Sequence, residues 1–210
     1  GRASRLGQNR GHEDSADFQI TKAVLEDSNW TIEIQPTSQP GAAPIHYTLP
    51  LLGEHNILNS ALSVVLTYLV SPQTASRIAA FSKDVEQVQH RLQKIDNPGQ
   101  PLILDDAYNS NEIGFKNAVK VLRKLADQRG GKAVLVTPGV AELGLEHDRV
   151  HNRLGQFASE QCDTVIAINP ARIESVVSAL DAEQTDIHTR ASFADARRLV
   201  SEMTADADVV

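Results

Sequence analysis

Residues 101–139 read PLILDDAYNSNEIGFKNAVKVLRKLADQRGGKAVLVTPG. A short apolar run, PLIL, ends in two carboxylates and a polar loop. IGFKNAVKVLRKLADQ then repeats apolar residues every three to four positions, and KAVLVTP is a second apolar run. A strand, a helix and a strand in this order imply parallel strands, with the helix crossing one face of the sheet. The rhythm continues downstream: HDRVHNRLGQFASEQ as a helix, DTVIAI as a strand, ARIESVVSAL as a helix, a weak strand DIHT, the helix FADARRLVSEMT and the strand opening DVV. Alternation of this kind predicts an α/β fold with a doubly wound, mostly parallel sheet and right-handed crossovers.

Upstream the pattern differs. Residues 1–16 are polar and without period, and read as a loop or a frayed lead-in. FQITKAVL, WTIEIQP and IHYTLPL each alternate apolar with polar residues, with Pro36, Pro40, Gly41 and Pro44 between them, as expected of short, half-exposed, largely antiparallel strands. An apolar helix follows Asn56, and a second is expected around Pro72 to Phe81. The change of rhythm places a boundary near residues 86–92 and divides the chain into 1–88 and 89–210. The opening Gly1 and the closing Asp208-Val209-Val210, two apolar residues into a strand, suggest that the sequence is an internal piece of a longer protein.

With 41% apolar residues, 210 residues can build two compact cores. Twenty Lys and Arg against 27 Asp and Glu, for a net charge of -7, lack the clustered basic surface that phosphate-backbone binding requires, so no nucleic acid is expected as partner. The single cysteine, Cys162, precludes an internal disulfide and a cysteine metal cage, fits a reducing cytoplasm, and reads as a small packed side chain ahead of TVIAI. The longest apolar run, 57–70, falls short of the roughly 20 residues that cross a bilayer, so no membrane span is expected. The expectation is a cytoplasmic monomer.

In open parallel sheets, ligands bind beyond the carboxyl ends of the strands. Three loops reach that edge: DDAYNSN (105–111), TPGVAELG (137–144) and NPAR (169–172). The first is by far the most polar. Asp105 and Asp106 are adjacent and point to opposite faces of a strand, which disfavours a shared acid–base pair; one carboxylate accepting from ribose hydroxyls is a better use, and capping of the next helix is the bland one. His147 and His151 are four apart but lack the rest of a metal-binding pattern, so an exposed helical face is expected instead. The only Gly-Lys pair, Gly131-Lys132, precedes a strand rather than a helix, so there is no phosphate-binding GK[ST] loop, and no Gly-x-Ser-x-Gly elbow occurs. Arg91, in VQHRLQKI at the boundary, is placed either to reach a phosphate or to sit on a linker surface. GEHNILNSA (53–61) opens an otherwise apolar helix with hydrogen-bonding groups. Asn56 reads as a helix cap, whereas Asn59 lies a turn further on, on the side of His55.

Together these stretches resemble the Mur ligase family. GEHNILNSALSV is similar to its GxHNxxNxxAA segment, HRL to the arginine at the junction of its central and C-terminal domains, and LILDDAYNSNEIGFKNAVKVL to its DDxYNxNPxS strand and helix. PGVAELG with His151 and Gly155 is similar to a GDMxELG loop and the helix after it. The YNxN form points to the branch that adds D-alanyl-D-alanine.

The resemblance implies that 1–88 is the C-terminal portion of a central ATPase domain and 89–210 a Rossmann-like C-terminal domain. It implies an ATP-dependent amide ligase that phosphorylates the carboxylate of a UDP-N-acetylmuramoyl peptide, the acyl phosphate then being attacked by the amine of D-alanyl-D-alanine. By motif position, His55 and Asn59 contact adenine with Asn56 beside them, Arg91 approaches the phosphates as the catalytic candidate, Asp106 holds the ribose, and Tyr108, Asn109 and Asn111 line the site near nucleotide and peptide. ATP and Mg2+ are the implied cofactors. The metal ligands, the phosphate-binding loop and the UDP-sugar domain of the family have no counterpart in these residues, so the piece by itself is expected to be inactive. Glu112 stands where the family has Pro, and TPG replaces GDM. Another ligase of the superfamily with a different acceptor, or a non-catalytic nucleotide-binding module, remains an alternative.

Overall fold

The computed structural model describes residues 6–8, 16–26, 28–39, 41–108 and 111–210. The chain divides into two units, Gly1–Gln87 and Val88–Val210.

In the first unit, β1 (Leu6–Gln8), β2 (Phe18–Glu26), β3 (Asn29–Pro36) and β4 (Ile45–Leu49) lie in that order in one sheet. The β2–β3 and β3–β4 pairs are antiparallel, as alternation predicts, with a bulge between Ile20 and Lys22. Leu6–Gln8, expected to be loop, instead pairs parallel with Phe18–Ile20. Three residues are too few to show a period, so only the neighbouring strand reveals them. Trp30, Ile32 and Ile34 face one side with Phe18, Ile20, Ile45, Tyr47 and Leu49, all buried. Helix α1 (Glu54–Val70) adds Ile57, Ala61, Val64 and Val65 to that core, Phe18 meets Tyr68 edge-on at 5.6 Å between ring centres, and Tyr47 Oη lies 2.9 Å from Ser60 Oγ. A single turn at Pro72–Thr74 leads into α2 (Ala75–Ser82).

The second unit is the predicted parallel α/β fold. Its elements are β5 (Gln93–Ile95), β6 (Ile103–Asp105), α3 (Glu112–Arg129), β7 (Val134–Thr137), α4 (His147–Gln161), β8 (Thr164–Ile168), α5 (Glu174–Val177), β9 (Asp186–Arg190) and α6 (Phe193–Met203). β7, β8 and β9 are parallel neighbours, while β5 and β6 form an antiparallel pair. Asp208–Val210 joins the two groups. Val209 bridges in parallel to both Leu102 and Ala133; the Leu102 and Leu104 N–H groups donate to Asp208 and Val210 carbonyls at 3.0 and 2.7 Å, and the Val134 N–H donates to Val209 O at 2.8 Å. The order across the sheet is therefore β5, β6, the 208–210 segment, β7, β8, β9. Val209 is fully buried at its centre.

Side chains alternate between two faces. Val134, Val136, Ile166 and Ile168 pack under α6 residues Ala196, Leu199, Val200 and Met203. Ala167 packs with Ile173 and Val176 of the connection that carries α5, and α5 in turn lies against α4. Helices thus cover both faces, which makes the sheet doubly wound. Two expectations shift in detail. β5 falls in a stretch that shows no strand period, and the helix expected over ARIESVVSAL contracts to Glu174–Val177, with its flanks wound as tight turns from Ile173 N to Pro170 O and from Ala179 N to Val176 O. α4 approaches this segment so closely that a methyl on Gly155 would sit 2.4 Å from Val176 O. Cys162 is buried as expected, and burial, reinforced by Asp163, pushes its thiol up to about 12. Among the described residues no helix is long and apolar enough to cross a membrane.

Candidate functional site

The candidate residues fall into two groups, one in each unit. In the first, the polar head of α1 is not capped as the sequence suggests. Gly53 occupies the N-cap with φ 93° and no side chain bonds a free N–H there. Asn56, the third residue of the helix, points back across the first turn, as helical side chains do, and its amide nitrogen donates to Leu52 O at 2.6 Å. His55 and Asn59, four apart, are both exposed. An imidazole and an amide side by side offer the mixed donors and acceptors that a heterocycle edge requires.

The second group is built around the segment that carries Arg91. His90 and Leu92 both adopt the left-handed backbone conformation, φ 59° and 47°. Such a conformation costs a non-glycine residue about 1–2 kcal/mol, so something must hold each in place. The loop after β6 does so. Asp105 Oδ2 is 2.7 Å from His90 Nδ1 while its Oδ1 accepts from Ala107 N at 3.1 Å. Asp106 Oδ1 accepts from Leu92 N at 3.0 Å, and Tyr108 N donates to His90 O at 3.1 Å. Between these tethers the Arg91 guanidinium lies over the Tyr108 ring, 4.7 Å from its centre. The two adjacent carboxylates thus serve different donors and do not share a proton. Asn111 caps α3, accepting from Gly114 N at 2.8 Å. Asn109 lies outside the described residues.

A third cluster, on the loops after β7 and β8, corrects one expectation. His151 is not on an exposed face but fully buried. Its Nε2 accepts the Val140 N–H at 3.0 Å, which leaves the ring proton of the neutral form on Nδ1, 3.1 Å from His147 Nε2. Burial first, and His147 second, hold the His151 pKa below its ordinary value. Arg172 Nη1 reaches Pro138 O at 3.3 Å, and His147 Nε2 lies 2.9 Å from Arg172 O. The 137–144 and 169–172 loops are therefore fastened to one another at the carboxyl edge of β7 and β8. Gly139, φ 76°, is needed there: a methyl on it would come within 2.5 Å of Ile173 Cγ2 and 2.7 Å of His151 Nε2.

Sequence reasoning also missed a role for Glu112. It accepts from Arg153 through both oxygens, Nε at 2.9 Å and Nη2 at 2.5 Å, and from Lys116 Nζ at 2.8 Å. These bonds, Arg153 foremost, hold its carboxyl at about 2. The i, i+4 spacing to Lys116 is a visible signal; the one to Arg153, 41 residues away, is not.

The chain is 31% identical over 167 residues to UDP-N-acetylmuramoyl-tripeptide--D-alanyl-D-alanine ligase of Escherichia coli (strain K12), a match covering 80% of this chain and 34% of that protein. The chain spans about a third or less of the length of the curated relatives it matches. Among solved structures, MurF from Acinetobacter baumannii superimposes with a TM-score of 0.70 at 21% identity, covering 90% of this chain and 38% of that one. MurF ligase from Thermotoga maritima in complex with ADP gives 0.69 at 16% identity, covering 94% and 43%. Residues 90–210 match the family described as Mur ligase, glutamate ligase domain. That match takes in the Arg91 segment, the loop after β6 and the sheet completed by Val209, more than half of the chain, and the chain accordingly belongs to the Mur ligase family.

Proposed function

We propose that this chain forms part of an ATP-dependent amide ligase that joins D-alanyl-D-alanine to a UDP-N-acetylmuramoyl peptide in peptidoglycan assembly, acting in the cytoplasm as a monomer. Residues 1–88 would belong to the central ATPase domain and 89–210 to the C-terminal domain. The observation that carries the reading is the Arg91 segment: a guanidinium, exposed and laid on an aromatic ring, held by the carboxylate-rich loop at the carboxyl end of β6. Its fork of donors suits phosphate oxygens. The relatives' activity, UDP-N-acetylmuramoyl-tripeptide--D-alanyl-D-alanine ligase, supports the acceptor and donor, and the Thermotoga maritima structure in complex with ADP supports the nucleotide.

In this reading ATP supplies the phosphoryl group that activates the peptide carboxylate. His55 and Asn59 read the adenine edge from the exposed face of α1, with Asn56 beside them, its amide nitrogen occupied by Leu52 O. Arg91 offsets charge on the phosphates. Asp106 accepts from the ribose with the carboxylate that also steadies Leu92. Tyr108, Asn109 and Asn111 line the peptide side. Among the described residues no group of three or more His, Cys, Asp or Glu could hold a metal ion. With no GK[ST] loop in residues 1–210, the chain alone is proposed to bind nucleotide without turning it over, because phosphate cradling and metal supply most of the charge stabilisation in phosphoryl transfer.

Calorimetric titration with ADP tests the reading. Arg91→Ala and Asn59→Ala should each weaken binding about tenfold, some 1.4 kcal/mol, while leaving the melting temperature unchanged. Equal affinity in both variants and the parent would end the nucleotide reading. Phosphate release above background from the chain with ATP, Mg2+, UDP-N-acetylmuramoyl tripeptide and D-alanyl-D-alanine would overturn the proposed lack of turnover.

A further inference from the structure

We propose that His90 and Asp105 form a clasp that positions Arg91 and Tyr108 as a single anion-facing unit, an inference that rests on the reading of Arg91 as a phosphate contact. The loop after β6 grips His90 at two points, its ring through Asp105 Oδ2 at 2.7 Å and its carbonyl through the Tyr108 N–H at 3.1 Å. Asp105 is itself oriented by the Ala107 N–H on its other oxygen, at 3.1 Å. The residue that closes one side of Arg91 is therefore bonded to the backbone of the residue on whose ring Arg91 rests. Neither contact can move without the other.

Backbone geometry argues that the clasp holds its segment under tension. His90 and Leu92, on either side of Arg91, both have positive φ. A segment with two left-handed non-glycine residues would relax to an extended path if released, since each is unfavourable for an L side chain. Relaxation would carry the Arg91 Cα away from the Tyr108 ring. Leu92 is anchored separately, by its buried side chain and by Asp106, whereas the exposed His90 is held by hydrogen bonds only, its ring by Asp105, its carbonyl by the Tyr108 N–H and its own N–H on Gln93 Oε1 at 3.3 Å, and the ring contact is the one a side-chain substitution removes. A guanidinium already stacked and fixed at its root loses less freedom on meeting a phosphate than one on a loose linker. His90 and Asp105 act through Arg91 and are positioning residues.

Substitution at His90 separates strain from clasp. Glycine accepts the positive φ but carries no donor; asparagine accepts the positive φ and keeps a donor for Asp105. In NMR spectra of the whole chain, the Arg91 Hδ protons should be displaced upfield by the Tyr108 ring. His90→Gly and Asp105→Ala should abolish that displacement and weaken ADP binding about three- to tenfold, whereas His90→Asn should retain both. Dispersed resonances elsewhere establish that each variant is folded, and His90→Gly carries the test should Asp105→Ala fail to fold. An unchanged Arg91 displacement in His90→Gly overturns the clasp, whatever happens to ADP. Loss of the displacement with unaltered ADP affinity supports the clasp and instead overturns Arg91 as a phosphate contact.

Discussion

Arg153 grips Glu112 with two prongs and so ties the middle of α4 to the first turn of α3, next to the Asn111 cap. The first turn of a helix is where a carboxylate is best placed electrostatically, and the paired guanidinium reinforces it. With Glu112 26% and Arg153 36% exposed, solvent screens the pair, and Glu112→Gln should cost only about 1 kcal/mol at neutral pH. The sign with pH follows from a depressed carboxyl. The contribution is fully present above the ordinary value of 4.5 and is lost as pH falls toward about 2. Urea unfolding of parent and variant should show a stability gap at pH 7 that narrows between pH 4.5 and 2. A gap constant across that range would contradict the assignment.

His151 should respond to pH in a different window. Its folded pKa lies below the ordinary 6.5 because burial disfavours the charged ring. Its contribution is therefore greatest above 6.5 and is lost as pH falls below that value, when the unfolded chain takes up the proton first. His151→Gln, whose amide oxygen can still accept from Val140, should remove this component of acid sensitivity. His151→Ala should cost about 2–4 kcal/mol at pH 7.5 through the cavity and the orphaned N–H, and less at pH 5, where the parent has itself lost part of the His151 contribution. Thermal melts at pH 5 and 7.5 distinguish the two, and an unchanged acid slope in His151→Gln would refute the argument.

Gly139→Ala should be among the most damaging small substitutions in the chain. Positive φ and contacts at 2.5 and 2.7 Å with Ile173 and His151 leave the methyl no space. A loss of about 2 kcal/mol or more is expected, with the melting temperature as the measurement; a change within experimental error would show that the 137–144 loop can be rebuilt.

The alternating strands and helices of residues 101–203 are visible in the sequence because their periods are local, and so is the polar loop 105–111 at a strand's end. What escaped reading depends on partners far away. His151 looks like a surface residue by its spacing from His147, and what meets its ring, the Val140 N–H and the closely approaching Gly139, lies in another loop. β1 and β5 are three residues each, shorter than any period that could announce them. Asn56 lies three positions beyond the N-cap, Gly53: at the third residue its side chain reaches backward to Leu52 O, whereas at the N-cap it would reach forward to free N–H groups.

Val209 supplies a direct test of the sheet order. Val209→Ala should cost about 2 kcal/mol by leaving a void at a fully buried site. Hydrogen exchange should then quicken at the Leu102, Leu104 and Val134 amides, which donate to the 208–210 segment. Quickening confined to residues 206–210 would argue that the segment is not central.

Placing 208–210 between β6 and β7 also governs how the second unit can assemble. β6 and β7 are joined by α3 and stand close in sequence, yet they do not pair; the strand that each needs comes from beyond α6. Until it arrives, two facing edges with unpaired backbone groups stay open in the middle of the unit. Closure across so long a loop makes folding slow relative to its size and leaves the partly folded chain able to capture a foreign strand in the gap.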